Sequence, residues 1–423
     1  MTSSRRSTAL LHSTLALMLS TGGTSVLGIL FWGLAAHIFT VSAVGRASAE
    51  ISAMTLIASI AQLNLSTAFV RFLPRAGGRT RFAIVMSYLV CTVLAIAGSM
   101  IFLGTSLHRG IVPANFVMEA IFTAGVVLWT IFVIQDAALI ALRGSKWVPL
   151  ENISFGVIKL IILPLLVAAP LAEGVFLAWT IPIVIAVVGV NLLLFVVLVP
   201  RVVVKQRKVD TQDAFHFKTL VSFVTAEYLS SLIGTSATFL MPLVIIKELG
   251  ASAAGYFYLP WLIGTSFSGL LWDITAPFIV EVSHDPTALP ELLRRSLRLM
   301  AILVLPALIV VVVAAPWLLG ILSHKYSTQG TILLRLIGLS FPSSAVISLA
   351  IASLWIRMRV WLLFVIRTLR SAALIVVSML LMRKYGLSAV GLANLGVLGL
   401  LALAMLPTVM RWYHSNVVLE GGH

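Results

Sequence analysis

Apolar runs long enough to cross a hydrocarbon core, roughly 20 residues each, recur from Leu10 almost to the end of the 423-residue chain, with short polar breaks between them. Read as helices, they predict about twelve spans, at 10–39, 48–70, 82–105, 116–141, 151–169, 175–199, 219–245, 253–278, 299–322, 331–355, 360–382 and 388–410. The first run follows Arg5 and Arg6 as a signal peptide would, but it is too long for a signal h-region and more spans follow. It reads as a retained helix. The pattern therefore predicts an all-α fold, a polytopic membrane bundle.

Composition excludes an ordinary soluble fold: 60% of residues are hydrophobic and 10% charged, against about 45–50% and about 25% in soluble domains. A net charge of +15 raises the question of nucleic acid, but Lys and Arg lie in the breaks between runs and form no basic stripe, so no nucleic-acid partner is expected. They report topology instead. With the N-terminus in the cytoplasm, the inside segments hold nineteen Lys and Arg and the outside segments six, namely Arg46, Arg109, Lys247, Lys325, Arg383 and Lys384. Cytoplasmic excess of basic residues sets orientation, so both termini are expected inside, with the protein in a bacterial inner membrane. The longest polar stretches, 200–218 and 281–298, fall on that side. The single Cys91 allows no intramolecular disulfide and reads as a packing residue.

The chain also repeats. Gly23-Thr24-Ser25 matches Gly234-Thr235-Ser236 at an offset of 211, Ser42-Ala43-Val44-Gly45 matches Ser252-Ala253-Ala254-Gly255, and Arg143 and Gly174 match Arg357 and Gly391 at 214 and 217. Each short match is near chance, but the order is kept throughout. Six spans per repeat bring the second half into the membrane from the same side as the first, which gives parallel repeats about an axis along the membrane normal. The expected organisation is an N-terminal six-helix lobe at 1–200, a cytoplasmic linker at 201–218 and a C-terminal lobe at 219–423, enclosing a central cavity that rocking exposes to alternate sides.

Several segments carry a family resemblance. They are Val44-Gly45-Arg46-Ala47-Ser48-Ala49; Ala68-Phe69-Val70-Arg71-Phe72-Leu73-Pro74-Arg75; Gln135-Asp136 through Leu142-Arg143-Gly144-Ser145-Lys146-Trp147-Val148-Pro149; Leu249-Gly250-Ala251 with Ala254-Gly255-Tyr256-Phe257-Tyr258; and Tyr385-Gly386-Leu387 with Val390-Gly391-Leu392-Ala393. Together they resemble the polysaccharide transporter branch of the multidrug/oligosaccharidyl-lipid/polysaccharide exporter superfamily. The resemblance implies a flippase that carries an undecaprenyl-pyrophosphate-linked oligosaccharide from the inner to the outer leaflet. Lipid-linked oligosaccharide, membrane lipid and other polysaccharide-assembly proteins are the implied partners. The two extra C-terminal helices of lipid II flippases are not found after helix 12, which favours an oligosaccharide over a peptidoglycan precursor.

Charges within the spans are the candidate chemistry, because an ionised group in lipid costs on the order of 2.5–3.5 kcal/mol and must pair or line a polar cavity. Lys159, eight residues past Glu151, and Asp136, seven before Arg143, fall at similar depth, about 12 Å, and are expected to pair, either as a static structural pair or until substrate anion displaces the carboxylate. Arg367 and Arg370, three apart on one helix face, suit a diphosphate through forked hydrogen bonds; the competing expectation pairs them with Glu227 and Asp273. Arg71 at the cytoplasmic rim and Arg46 at the outer start of helix 2 complete the substrate-binding candidates, with Asp136, Glu227 and Asp273 as coupling or charge-pairing residues. Arg335 and Glu119 lie near outer helix ends and are expected to snorkel. Gly22, Gly23, Gly28 and Pro260 soften helices 1 and 8 or let them pack closely; in the family that these helices resemble, the two bound the lateral opening to lipid.

No phosphate-binding G-x-x-x-x-G-K-[ST] loop, metal-ligand spacing or G-x-S-x-G elbow occurs, so no cofactor, metal or catalytic residue is expected, and the protein reads as a transporter, not an enzyme. Two alternatives stand beside the flippase. A cation-coupled multidrug exporter of the same superfamily would use the buried carboxylates; a membrane glycosyltransferase or polymerase would need large extracytoplasmic loops, which the spacing does not leave.

Overall fold

The computed structural model describes residues 3–167, 173–201, 217–284, 287, 289–357 and 359–413. The side chains of 3–20 and of several other residues, among them Arg71, Arg75 and Glu227, lie outside the described set, as does most of the linker expected at 201–218.

The described elements are helical throughout: α1 (Ser3–Ile38), α2 (Val41–Ala61), short α3 (Leu65–Phe72), α4 (Thr80–Gly104), α5 (Phe116–Ala141), α6 (Trp147–Leu165), α7 (Gly174–Leu192), α8 (Phe217–Leu249), α9 (Ala251–His284), α10 (Leu289–Gly320), α11 (His324–Leu339), α12 (Phe341–Ile356), α13 (Val360–Tyr385) and α14 (Ser388–Tyr413). Local chemistry sets their limits. The Thr40, Asn115 and Ser323 side chains accept the backbone N–H three residues on and so cap α2, α5 and α11. Left-handed residues end others: Arg143 (φ 62°) after α5, Gly250 (φ 87°) after α8 and Gly386 (φ 54°) after α13.

Ten of the described helices are long and apolar enough to cross a membrane, or eleven if the pair α11–α12, bent by 41°, counts as one span. The span expected at 331–355 is that bent pair. It breaks at Ser340, and Pro342 lies in the first turn of α12, where its missing N–H costs no helical bond. The span expected at 48–70 starts earlier, at the Thr40 cap, and stops at Leu63 and Asn64, both at positive φ.

This second helix, unlike the other long helices among the described residues, is not apolar enough to cross a membrane, and its packing explains why. α2 is rich in Ser and Ala and is enclosed by α4, α5, α7 and α8, so it has little lipid-facing surface to make apolar. Its hydroxyls return to their own helix: Ser48 donates to the Gly45 carbonyl at 2.8 Å, Ser52 to Ser48 at 2.6 Å and Thr55 to Ile51 at 2.7 Å.

The repeat has a physical counterpart at the starts of α2 and α9. A Cβ on Gly45 would lie 1.8 Å from the Ala251 carbonyl oxygen, and one on Gly255 would lie 2.3 Å from that of Val41. Each glycine thus meets the residue four before its repeat mate, a reciprocal crossing with no room for a methyl group. Arg143 and Arg357 likewise each follow a helix, α5 and α12.

Packing divides the chain into two units, Leu30–Gly255 and Met1–Ile29 with Tyr256–His423. α8 groups with α2 through α7 because it packs along α2, so the units follow packing whereas the proposed 1–200 and 219–423 lobes follow the repeat. Two helices belong partly to each unit, α1 and α9.

In the second of these units, Pro316 gives the Val312 carbonyl no helical donor, and Arg335 Nε supplies one at 2.9 Å. Thus Arg335, expected only to snorkel, ties α11 to α10.

Replacing Gly45 by Val should lower Tm, measured on detergent-purified protein, by the equivalent of about 3 kcal/mol. Gly28→Ala, where an added Cβ meets nothing within 4 Å, should leave Tm unchanged.

Candidate functional site

α6 begins at Trp147, four residues before the expected start, so Lys159 lies about 18 Å along it instead of about 12 Å. The side chain is 4% exposed. Its ammonium lies 3.9 Å from the ring centroid of Trp179 on α7, 4.9 Å from that of Phe155 on α6 and 5.1 Å from that of Phe31 on α1. Around this cage the aromatics continue: Trp129 stacks on Phe132 at 5.2 Å and tilts against Phe155 at 6.0 Å and Trp179 at 6.1 Å, and Trp32 meets Phe31 edge-on at 5.4 Å.

The expected ion pair between Lys159 and Asp136 does not form. Asp136 Oδ2 instead accepts from Asn152 Nδ2 at 3.3 Å, and the Asp136 carboxyl abuts that of Glu151. Eight residues on a helix are about 12 Å of rise and about 80° of rotation, which separates the acidic end of α6 from its lysine. Among the described residues no carboxylate reaches the Lys159 ammonium, and its cage replaces one. Each desolvated cation–π contact stabilises by about 2 kcal/mol, so three rings offset much of the several kcal/mol that burying an unpaired ion costs. The Trp179 indole Nε1 beside it is buried and also has no hydrogen-bond partner.

Two buried carboxylates escaped the sequence reading. Glu151, 6% exposed, stands at the start of the span expected at 151–169, and the earlier helix start brings it inside; its Oε1 accepts a hydrogen bond from Gln135 Nε2. Glu50, 4% exposed, lies one turn after Arg46 on α2 and near Glu173 at the start of α7. Arg46, named as a receiver of substrate, faces this acidic residue.

In the other unit, Arg367 and Arg370 share a face of α13 and feel each other's charge. Asp273, 7% exposed, bonds the Thr21 side chain and leaves Oδ2 without a hydrogen bond. Glu227 and the Arg71 side chain lie outside the described residues. An added Cβ at Gly22, Gly23 or Gly28 would meet nothing within 4 Å, whereas one on Gly264 would lie 2.5 Å from Ile337. The α1 glycines are therefore open, and Gly264 is a packing residue. Pro260 lies inside α9 and contacts the position of Gly330.

The fold is shared with solved membrane transporters. The chain superposes on a multidrug resistance MATE family transporter of the MOP superfamily in its inward-facing conformation, at TM-score 0.66 and 14% identity over 96% of this chain and 98% of that one. Against an outward-facing conformation the values are 0.66 and 13% over 97% and 96%. A MOP superfamily transporter from Pyrococcus furiosus, whose binding pocket is described as having reverse polarity, gives 0.66 and 12% over 97% and 96%. Residues 151–330 match the family model described as polysaccharide biosynthesis protein. No curated protein sequence matches the chain. The family match lies within one part of the chain, whereas the fold similarity extends over nearly all of it.

Lys159→Met keeps the stem packing and removes a desolvated charge, so Tm should hold or rise. A double-mutant cycle with Trp179→Leu, read by unfolding in detergent, should return a coupling of about 2 kcal/mol; a coupling near zero would mean that the rings do not hold the ammonium.

Proposed function

We propose that the chain is a flippase that carries an undecaprenyl-pyrophosphate-linked oligosaccharide from the inner to the outer leaflet of a bacterial inner membrane. Both termini face the cytoplasm, and two six-helix lobes alternate access to the substrate's head group. The observation that carries this reading is Lys159: a cation deep in a span, surrounded by ring faces, with no carboxylate beside it among the described residues. A pyrophosphate gives that ammonium a better partner than a π-face does, because charge-assisted hydrogen bonds in a poorly solvated site are the strong ones. The free Trp179 N–H adds a second donor, and neighbouring aromatic faces offer apolar surface with a polar edge to sugar rings.

The match of 151–330 to polysaccharide biosynthesis proteins supports the same substrate class and includes Lys159. Arg367 and Arg370 are the corresponding basic pair of the second repeat, and Arg71 and Arg46 serve the inner and outer rims. Bending of α1 at Gly22, Gly23 and Gly28 and of α9 at Pro260 would let these two shared helices act as hinges or a lateral gate. Other polysaccharide-assembly proteins would supply and consume the lipid-linked substrate.

A multidrug exporter is the second reading, favoured by the buried carboxyls Asp136, Glu151 and Asp273. An uncompensated lysine disfavours it, since a cationic drug would be repelled there.

In proteoliposomes, labelled lipid-linked oligosaccharide should change leaflet only when the protein is present. Lys159→Met, folded and inserted, should slow flipping about tenfold or more, the loss of one charge-assisted contact of about 1.4 kcal/mol or greater. Normal flipping by this variant would remove the lysine from the mechanism, and efflux of cationic dyes with no lipid movement would favour the exporter.

A further inference from the structure

α4 and α5, joined by one turn, pack side by side, and a furrow of about 900 Å³ runs between them. α4 turns Cys91, Ala95, Ser99 and Phe102 into the protein. The residues it gives to the furrow, Thr92, Ile96, Met100 and Leu103, each lie one position further on, about 100° around the helix. α5 forms the other wall, where Ala120 and Ala124 are too small to fill the space. The edges are apolar and exposed, Met100 at 55% and Phe116 at 85%, as suits a surface that faces lipid.

The length of the furrow limits what can occupy it. From Thr92 to Leu103 is about 17 Å of helix rise and from Phe116 to Leu128 about 18 Å, whereas half of a hydrocarbon core of about 30 Å is about 15 Å. The furrow therefore runs from the α4–α5 turn to the middle of the bilayer and stops there. That is the reach of a phospholipid acyl chain in one leaflet; a long polyprenyl tail would overrun it.

Glu119, in the first turn of α5, lines this apolar furrow half-buried. Ionisable groups in spans mostly face the bundle interior and pair there, but no Lys, Arg or His lines the furrow. The Thr123 hydroxyl does not serve the carboxylate either, since it donates to the Glu119 backbone carbonyl at 2.9 Å. An acidic residue in a first turn suits the helix dipole, yet any face of that turn would do for that purpose. Its placement in the furrow calls for a cation that arrives with the lipid.

We propose that the furrow binds one phospholipid with a primary-amine head group, the phosphatidylethanolamine class, its ammonium on Glu119 and an acyl chain along Met100, Ala120 and Ala124. The ammonium gives the carboxylate charge-assisted hydrogen bonds, and the adjoining phosphate faces the turn that carries the exposed Arg109. A phosphatidylglycerol head group brings only negative charge to Glu119 and is disfavoured. The leaflet, the outer one, rests on the orientation proposed above; the lipid class rests on the furrow and stands whichever substrate is carried.

The test follows Tm of the purified full-length protein in detergent, titrated with phosphatidylethanolamine, with phosphatidylglycerol of the same acyl chains, or with undecaprenyl phosphate. Phosphatidylethanolamine should raise Tm saturably by about 2–4 °C, and more than phosphatidylglycerol does. Glu119→Gln should equalise the two phospholipids and Glu119→Lys should reverse their order, so either variant suffices if the other does not fold. Ala124→Phe, which fills the furrow from its exposed side, should remove the preference. The proposal is overturned if the two phospholipids act alike on the wild type, or if their order survives in the Glu119 variants or in Ala124→Phe. A larger rise with undecaprenyl phosphate that Ala124→Phe abolishes would overturn it too, by giving the furrow to a polyprenyl tail.

Discussion

A polar group inside a bilayer-spanning helix has no water to turn to, so the protein itself must satisfy it, and the described structure answers this demand in three different ways. The hydroxyls of α2 bond back to carbonyls one turn earlier in their own helix. Arg335 replaces the helical donor that Pro316 lacks. Lys159 finds neither an acceptor nor a carboxylate and is met by three aromatic faces. The first two solutions are complete within the fold. The third leaves a cation stabilised but not neutralised, and that incompleteness is what makes it a candidate for chemistry.

The same helix holds the opposite problem at its other end, where Glu151 meets Asp136. Lys159 and Glu151 on one helix would be expected to cancel, and they are kept apart by two turns of rise and a rotation of about 80°. Closing that gap would neutralise both sites. Keeping it open leaves Lys159 among its rings and Glu151 beside Asp136.

Close approach is the complementary demand. Gly45 and Gly255 allow α2 and α9 to cross backbone to backbone, and the reciprocity of that contact, each glycine against the residue four before its mate, is the repeat expressed in three dimensions. The glycines of α1 show that the same residue type can serve otherwise: nothing fills the space beside Gly22, Gly23 and Gly28, and α1 is one of the two helices shared between packing units.

What the sequence determined by itself is whatever depends on solvent and local backbone preference: the all-helical membrane class, most helix limits to within a few residues, the order of the repeat and the transporter resemblance. Hydropathy fixes these because lipid acts on each span separately. Partnership was decided only by tertiary structure. The sequence paired Lys159 with Asp136 from depth alone, and the rotation of the helix faces toward α1 and α7 gave the lysine to Phe31, Phe155 and Trp179 instead. It placed Glu151 at the boundary, and an α6 that begins at Trp147 drew it into the core. Depth along a helix is a one-dimensional quantity readable from spacing, whereas which face meets which neighbour is set by packing among segments far apart in the chain.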